Sequence, residues 1–276
     1  MLARVAQITS KKLMPALAVA CALLMQPAQA ESSWSAVQKK GVLRCGAAVA
    51  PVYVMRDAGS GQYSGIHAEL CRDFGEQVLK VKVEFVDATW DNIVAGIQSN
   101  KWDMALALNP TPARALVLSF SDPVVESQTA LVVNRDNPKF AGAGNRLEDY
   151  DKPDVRITSH AGSVPATSIA AVLKKAGLQL LPGTDETRLA LISRRADALS
   201  GDSIEVLPFI KANPQFTRVL LEPALARGYV AFGLSREMSA QDLAVLNIYL
   251  RARRDAGDFE RMTLAAVEQA VKQTVH

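Results

Sequence analysis

Short apolar runs and amphipathic stretches alternate along the chain from Val42 onward. Residues 42–47 read as a strand, followed by the turn-rich Asp57-Ala58-Gly59-Ser60-Gly61. Ile66, Leu70, Phe74 and Val78 recur four apart, which is one face of a helix, and residues 81–85 alternate as a strand does. Trp90, Ile93, Val94 and Ile97 make a second helical stripe, and residues 104–107 and 129–133 are apolar strands. A polar stretch containing Pro and Gly spans 135–154, and the pattern then restarts. It predicts strands at 156–158, 178–181, 198–200 and 229–234, with helices at 165–176, 187–194 and 204–212 and two more at the end of the chain. Strands alternating with helices build mostly parallel α/β sheets. Two successive units of this kind imply two lobes with a cleft between them.

The first 30 residues stand outside that pattern. Arg4, Lys11 and Lys12 precede an apolar run over 13–25, and Ala28-Gln29-Ala30 follows as an A-x-A-like cleavage site. The run is short of the ~20 residues that span a bilayer, so residues 1–30 read as a cleavable signal peptide. Cys21 has the place of a lipoprotein cysteine, but Ala18 stands where such leaders usually carry Leu. Export of a soluble protein to the periplasm is the expectation.

Composition then narrows the function. The chain is 49% hydrophobic and 21% charged, which suits packed domains rather than disorder. Its net charge of +3 belongs to the leader: without Arg4, Lys11 and Lys12, 28 basic side chains face 28 acidic ones. A nucleic-acid surface usually leaves a basic excess, so no nucleic-acid partner is expected. Beyond the leader only Cys45 and Cys71 remain, one at the end of a predicted strand and one on the next helix, and an oxidising compartment favours their pairing. His67, His160 and His276 are isolated, so neither a metal site nor a cofactor is expected.

One segment carries chemistry: Ala107-Leu108-Asn109-Pro110-Thr111-Pro112-Ala113-Arg114. Thr111 and Pro112 fit an N-cap and first helical position, which puts Arg114 in the first turn. A guanidinium among free N–H groups suits a carboxylate, which it grips bidentately.

With Gly41-Val42-Leu43, Gly65-Ile66-His67-Ala68-Glu69-Leu70, Trp90-Asp91-Asn92-Ile93, Lys101-Trp102-Asp103, Phe120-Ser121-Asp122-Pro123 and Ala196-Asp197-Ala198 before Asp202, the mature chain resembles bacterial extracellular solute-binding protein family 3, the periplasmic amino-acid receptors of ABC importers. The resemblance implies a two-lobe periplasmic-binding-protein (Venus flytrap) fold of type II with two hinge strands. Lobe 1 would comprise 31–133 plus 227–276 and lobe 2 134–226, with hinges near 132–134 and 227–229. It implies that Arg114 grips the ligand α-carboxylate and Asp202 the α-ammonium from the other lobe. Asn109 would add a carboxylate contact, the Ala107 carbonyl would accept from the ammonium, and Gly162, Ser163 and Val164 would offer N–H donors. Trp90 and Tyr53 match or neighbour pocket aromatics. Three of these residues have simpler readings as well: Arg114 as an exposed helix arginine, Asp202 as the cap of a helix near Ile204, and Trp90 as helix core.

The sequence departs from the family pattern at Ala107 and Asn109, which replace hydroxyl residues, and at Glu69 and Val124; these changes bear on which ligand is bound. The implied role is capture without catalysis by a monomer that serves an inner-membrane ABC permease. A related group on this fold dehydrates prephenate or arogenate with a pocket carboxylate as general acid, and Glu126, Glu186 and Glu205 are equally unremarkable candidates in the sequence. A ligand sensor for a signalling partner is the third reading.

Overall fold

A computed structural model describes residues 32–274. The predicted leader, Cys21 and the site after Ala30 lie outside the described residues, as does His276. A helix the pattern did not predict, α1 (Ser33–Lys40), opens the fold, capped by the Ser32 hydroxyl accepting from Ser35 N and closed by Gly41 at φ +71°. It is pinned from afar: Trp34 Nε1 donates to the carbonyl of Asp242 at 2.6 Å, and Ser33 N donates to its carboxylate at 2.8 Å.

The first lobe is a sheet in which β1 (Val42–Ala48) pairs in parallel with β4 (Lys82–Ala88) on one side and β5 (Met104–Leu108) on the other. The hairpin β2 (Met55–Arg56) and β3 (Tyr63–Ser64) stands apart. The helices α2 (Ile66–Asp73), α3 (Ile93–Gln98) and α8 (Ala240–Asp255) surround this sheet, while α9 (Asp258–Thr274) packs against α2, α8 and residues 207–212 of the second lobe. Leu43, Leu70, Phe74, Leu106, Phe232 and Leu250 share its main core. In the second lobe β8 (Arg156–His160) pairs in parallel with β9 (Gly177–Leu181) and β10 (Ala198–Asp202). The helices α5 (Val164–Val172), α6 (Thr184–Ile192) and α7 (Leu207–Ala212) belong to it.

Two long strands join the sheets. β7 (Val125–Asn134) and the 20-residue β11 (Phe216–Ser235) run antiparallel to each other. The last residues of β11 pair with β5 and with β6 (Leu118–Phe120), while β7 pairs with β10 from Thr129 to Val133. Nine strands thus form one continuous sheet. Leu131 and Val133 pack with Tyr150, Ile157 and Ile169, whereas Val132 packs with Leu199 and Phe209 on the other face. β7 has therefore joined the second sheet by Thr129, several residues before the crossover expected at 132–134. β11 stays paired with β7 from Phe216 to Val230, its register shifting between Leu220 and Gly228, and takes up β5 from Ala231.

Three helices differ from their predicted bounds. The α6 helix begins at Thr184, where Asp185 and Glu186 suit a first turn. The α5 helix ends at Val172, short of 176. The α7 helix begins only at Leu207, because residues 203–206 form a turn. Among the described residues no helix is long and apolar enough to cross a membrane.

Cys45 on β1 and Cys71 on α2 are fully buried and joined as a disulfide. Their separation of 26 residues makes the bond worth about 3–4 kcal/mol in the chain-entropy account. Reduction should lower the unfolding midpoint in denaturant, and intact mass should rise by two protons with reductant. Two freely alkylated thiols in native, unreduced protein would contradict this.

Candidate functional site

The site begins where β5 ends. Thr111 Oγ1 accepts from Arg114 N at 3.2 Å and Pro112 takes the first helical position, giving α4 (Pro112–Ala115). One turn is too short for its dipole to hold an anion; its effect is to aim Arg114. Arg114 Nη1 donates to the Asn109 carbonyl at 3.1 Å, and Nη2 reaches toward the Gly162 carbonyl of the second lobe at 3.5 Å. Burial pulls its pKa below the usual arginine value. Among the described residues no carboxylate lies within ion-pair distance of it. A desolvated guanidinium without a counter-charge is costly.

Asp202 ends β10 and is buried. Its Oδ1 accepts from Ile204 N at 2.9 Å and Glu205 N at 3.2 Å, holding the 203–206 turn. The same oxygen accepts from Tyr53 Oη at 2.8 Å, across the cleft. Oδ2 takes no hydrogen bond among the described residues. Asp202 therefore does the work of a turn cap and still presents one free oxygen to the cleft. Tyr53 is a bridge between lobes as well as a wall: it is buried, and its ring meets the edge of His67. The buried His67 imidazole makes no hydrogen bond, and burial pulls its pKa down to about 3.

Arg114, Asp202, Asn109, Ala107, Trp90, Ser163, Val164 and Tyr53 all line one cavity. Asn109 Nδ2 is held by the Tyr229 carbonyl at 3.3 Å. Ala107 sits at φ +56°, beside an irregularity where Leu108 pairs with Ala231 but Ala105 pairs with Gly233. Trp90 precedes α3 rather than riding on it, because Asn92 Oδ1 accepts from Thr89 N and forms a turn there. Its ring approaches His160 of the second lobe. At the start of α5, Ser163 N already donates to the His160 carbonyl, Ser163 Oγ accepts from Ala166 N, and Pro165 has no N–H. Of the donors expected there, the Gly162 and Val164 N–H groups have no partner among the described residues. Gly162 lies at φ +73° with no room for a side chain, since a Cβ would fall 2.5 Å from Asp91 Oδ1 of the other lobe.

Behind this cavity lies a second, lined by His160, Thr184, Thr187, Arg188 and Phe209 and sharing Ser163, Pro165, Asp202 and Glu205 with the first. Each measures about 20 Å³, space for a water molecule. The first cavity is lined from both lobes and the second from the second lobe alone.

The sequence from Leu43 to Lys272 matches the model of the bacterial extracellular solute-binding proteins, family 3. The chain belongs to that family. A probable amino-acid ABC transporter-binding protein of Haemophilus influenzae is 27% identical over 56% of this chain, which spans 57% of that relative's length. Cyclohexadienyl dehydratase of Pseudomonas aeruginosa is 23% identical over 73% of this chain and 75% of its own. Among solved structures, the ancestral amino acid-binding protein AncCDT-1, a precursor of cyclohexadienyl dehydratase, is 26% identical with a TM-score of 0.75, covering 86% of this chain and 99% of that one. The fold is the type II, Venus-flytrap arrangement of the periplasmic amino-acid-binding proteins.

Glu205 is a cleft residue that the sequence did not single out. Glu205, no more conspicuous in sequence than Glu126 or Glu186, borders both cavities. Its Oε1 accepts from Thr184 Oγ1 at 3.2 Å. Burial against the protein, reinforced by the neighbouring Asp202 charge and only partly offset by Arg188, pushes its pKa up to about 7. Its spacing of three from Asp202 was the available signal, since one turn aims both carboxyls at the same space. Glu126, by contrast, pairs with Arg227 on an exposed surface. Among the described residues no group of three His, Cys, Asp or Glu side chains is placed to hold a metal ion.

Glu205 makes stability depend on pH. Its folded pKa of about 7 exceeds the ordinary 4.5, so the folded state holds a proton that the unfolded chain gives up. Its stabilising protonation is complete below about 4.5 and is lost as pH rises through about 7. The difference amounts to at most about 3 kcal/mol, less where the cleft admits water. Glu205→Gln should therefore match wild type at pH 4.5 and exceed it at pH 8 in chemical denaturation. A constant offset at every pH would contradict this assignment.

Proposed function

We propose that this protein captures an amino acid, or an analogue with the same α-carboxylate and α-ammonium, between its lobes in the periplasm and delivers it as a monomer to an ABC permease. Residues 1–30 would direct its export. One observation carries the reading: Arg114 without a counter-charge and Asp202 with an unengaged oxygen border the same cavity from opposite lobes. A zwitterion supplies both missing partners, and it contacts both only when the lobes are together. Its binding therefore favours the closed state. Asn109, Ala107 and Val164 N–H would complete the polar ring around it, with Trp90 and Tyr53 as apolar walls.

Leaving one buried charge unpaired costs about 2–5 kcal/mol. Arg114→Ala should accordingly weaken amino-acid binding by roughly 30- to 5,000-fold, measured by calorimetry on the ligand identified from a thermal-shift screen. Asp202→Asn preserves the Oδ1 contacts and should fall at the lower end of that range. Unchanged affinity in Arg114→Ala would place the pocket elsewhere.

Glu205 favours a second reading, the dehydratase chemistry of the Pseudomonas relative. A neutral carboxyl in the cleft has a proton to give to a leaving hydroxyl, which departs as water while the electrons of a departing carboxylate, lost as carbon dioxide, form the ring double bond. Prephenate turnover by the wild type, abolished in Glu205→Gln, would establish this activity. Prephenate that binds without turning over, or does not bind, would leave capture as the function.

A further inference from the structure

Arg188 enters the rear cavity from α6 with its side chain only 13% exposed. No hydrogen bond reaches its guanidinium among the described residues. Its ion pair with Asp185 is long, at 3.8 Å, and Asp185 itself is 88% exposed. Phe209 lies 5.7 Å from the guanidinium carbon, and Glu205 acts on it only from beyond ion-pair distance. Two shielded guanidiniums thus flank the Asp202 and Glu205 carboxyls that the cavities share, Arg114 in the cavity between the lobes and Arg188 in the one within the second lobe.

We infer that Arg188 forms a second anion subsite, and that the ligand is an amino acid whose side chain ends in a carboxylate. The charges along the cleft run positive, negative, positive, and an acidic amino acid offers carboxylate, ammonium, carboxylate in answer. A carboxylate entering the rear cavity gives Arg188 the bidentate partner it lacks. Glu205 tolerates it as a neutral hydrogen-bond donor, consistent with its raised pKa. The inference rests on the proposed capture of an amino acid by Arg114 and Asp202.

The test is calorimetry at pH 6 with L-glutamate, L-aspartate, L-glutamine and L-asparagine. Wild type should bind at least one acidic probe about 30-fold or more tightly than its amide. Arg188→Met, which keeps the stacking on Phe209, should erase that preference, while Arg188→Lys should retain part of it; circular dichroism confirms that each variant folds. Equal or reversed preference in wild type, or no binding of either acidic probe, overturns the inference. If amides bind better and Arg114→Ala still abolishes binding, the proposed capture stands without it. If acidic probes bind but Arg114→Ala is without effect, the capture site itself is wrong and both fall.

Discussion

Asp202 Oδ1 takes three donors at once: two backbone N–H groups of its own turn and the hydroxyl of Tyr53 from the opposite lobe. That arrangement sets the geometry of the cleft. The turn ties the end of β10 to the start of α7 and carries Glu205 into the same space. The Tyr53 hydroxyl ties the first lobe to this turn across the cleft. Because the three contacts converge on a single oxygen, the other remains for a ligand cation. A ligand that engages Oδ2 adds to the closing force without competing with the turn.

The second constraint is charge without water. Arg114 and Arg188 are both drawn below their usual pKa by desolvation, and neither has a close carboxylate partner in the cleft. Their charges are nonetheless kept, since guanidinium does not give up its proton in proteins. Such groups lower stability unless something pairs with them. Their persistence in a cleft, beside two carboxyls and between lobes on hinge strands, is the arrangement expected of a receptor whose ligand completes its electrostatics. The seam tolerates closure because Gly162 brings bare backbone against Asp91.

Much of the fold was legible where local chemistry decides structure. The Thr111–Pro112 cap, the parallel strands of both lobes and the Cys45–Cys71 pair follow from short-range patterns and from the count of cysteines outside the leader. The long strand β11 was not, because its first 14 residues are mostly polar or exposed and lack a period of two. Trp90 shares helical spacing with Ile93 and Ile97, yet the Asn92–Thr89 hydrogen bond delays the helix. Glu205 and Arg188 escaped notice for a related reason. A glutamate in a turn and one arginine of several on a helix look like solvated groups until tertiary packing encloses them.

In the proposed capture, Arg114 is an anion grip that lacks its partner until a ligand arrives. Native mass spectrometry of the protein isolated without dialysis, beside the Arg114→Ala variant, tests this most directly. The account predicts a bound small molecule bearing a carboxylate and an amine on the wild type, and its loss from the variant. A ligand without a carboxylate, or one held equally by Arg114→Ala, would contradict it.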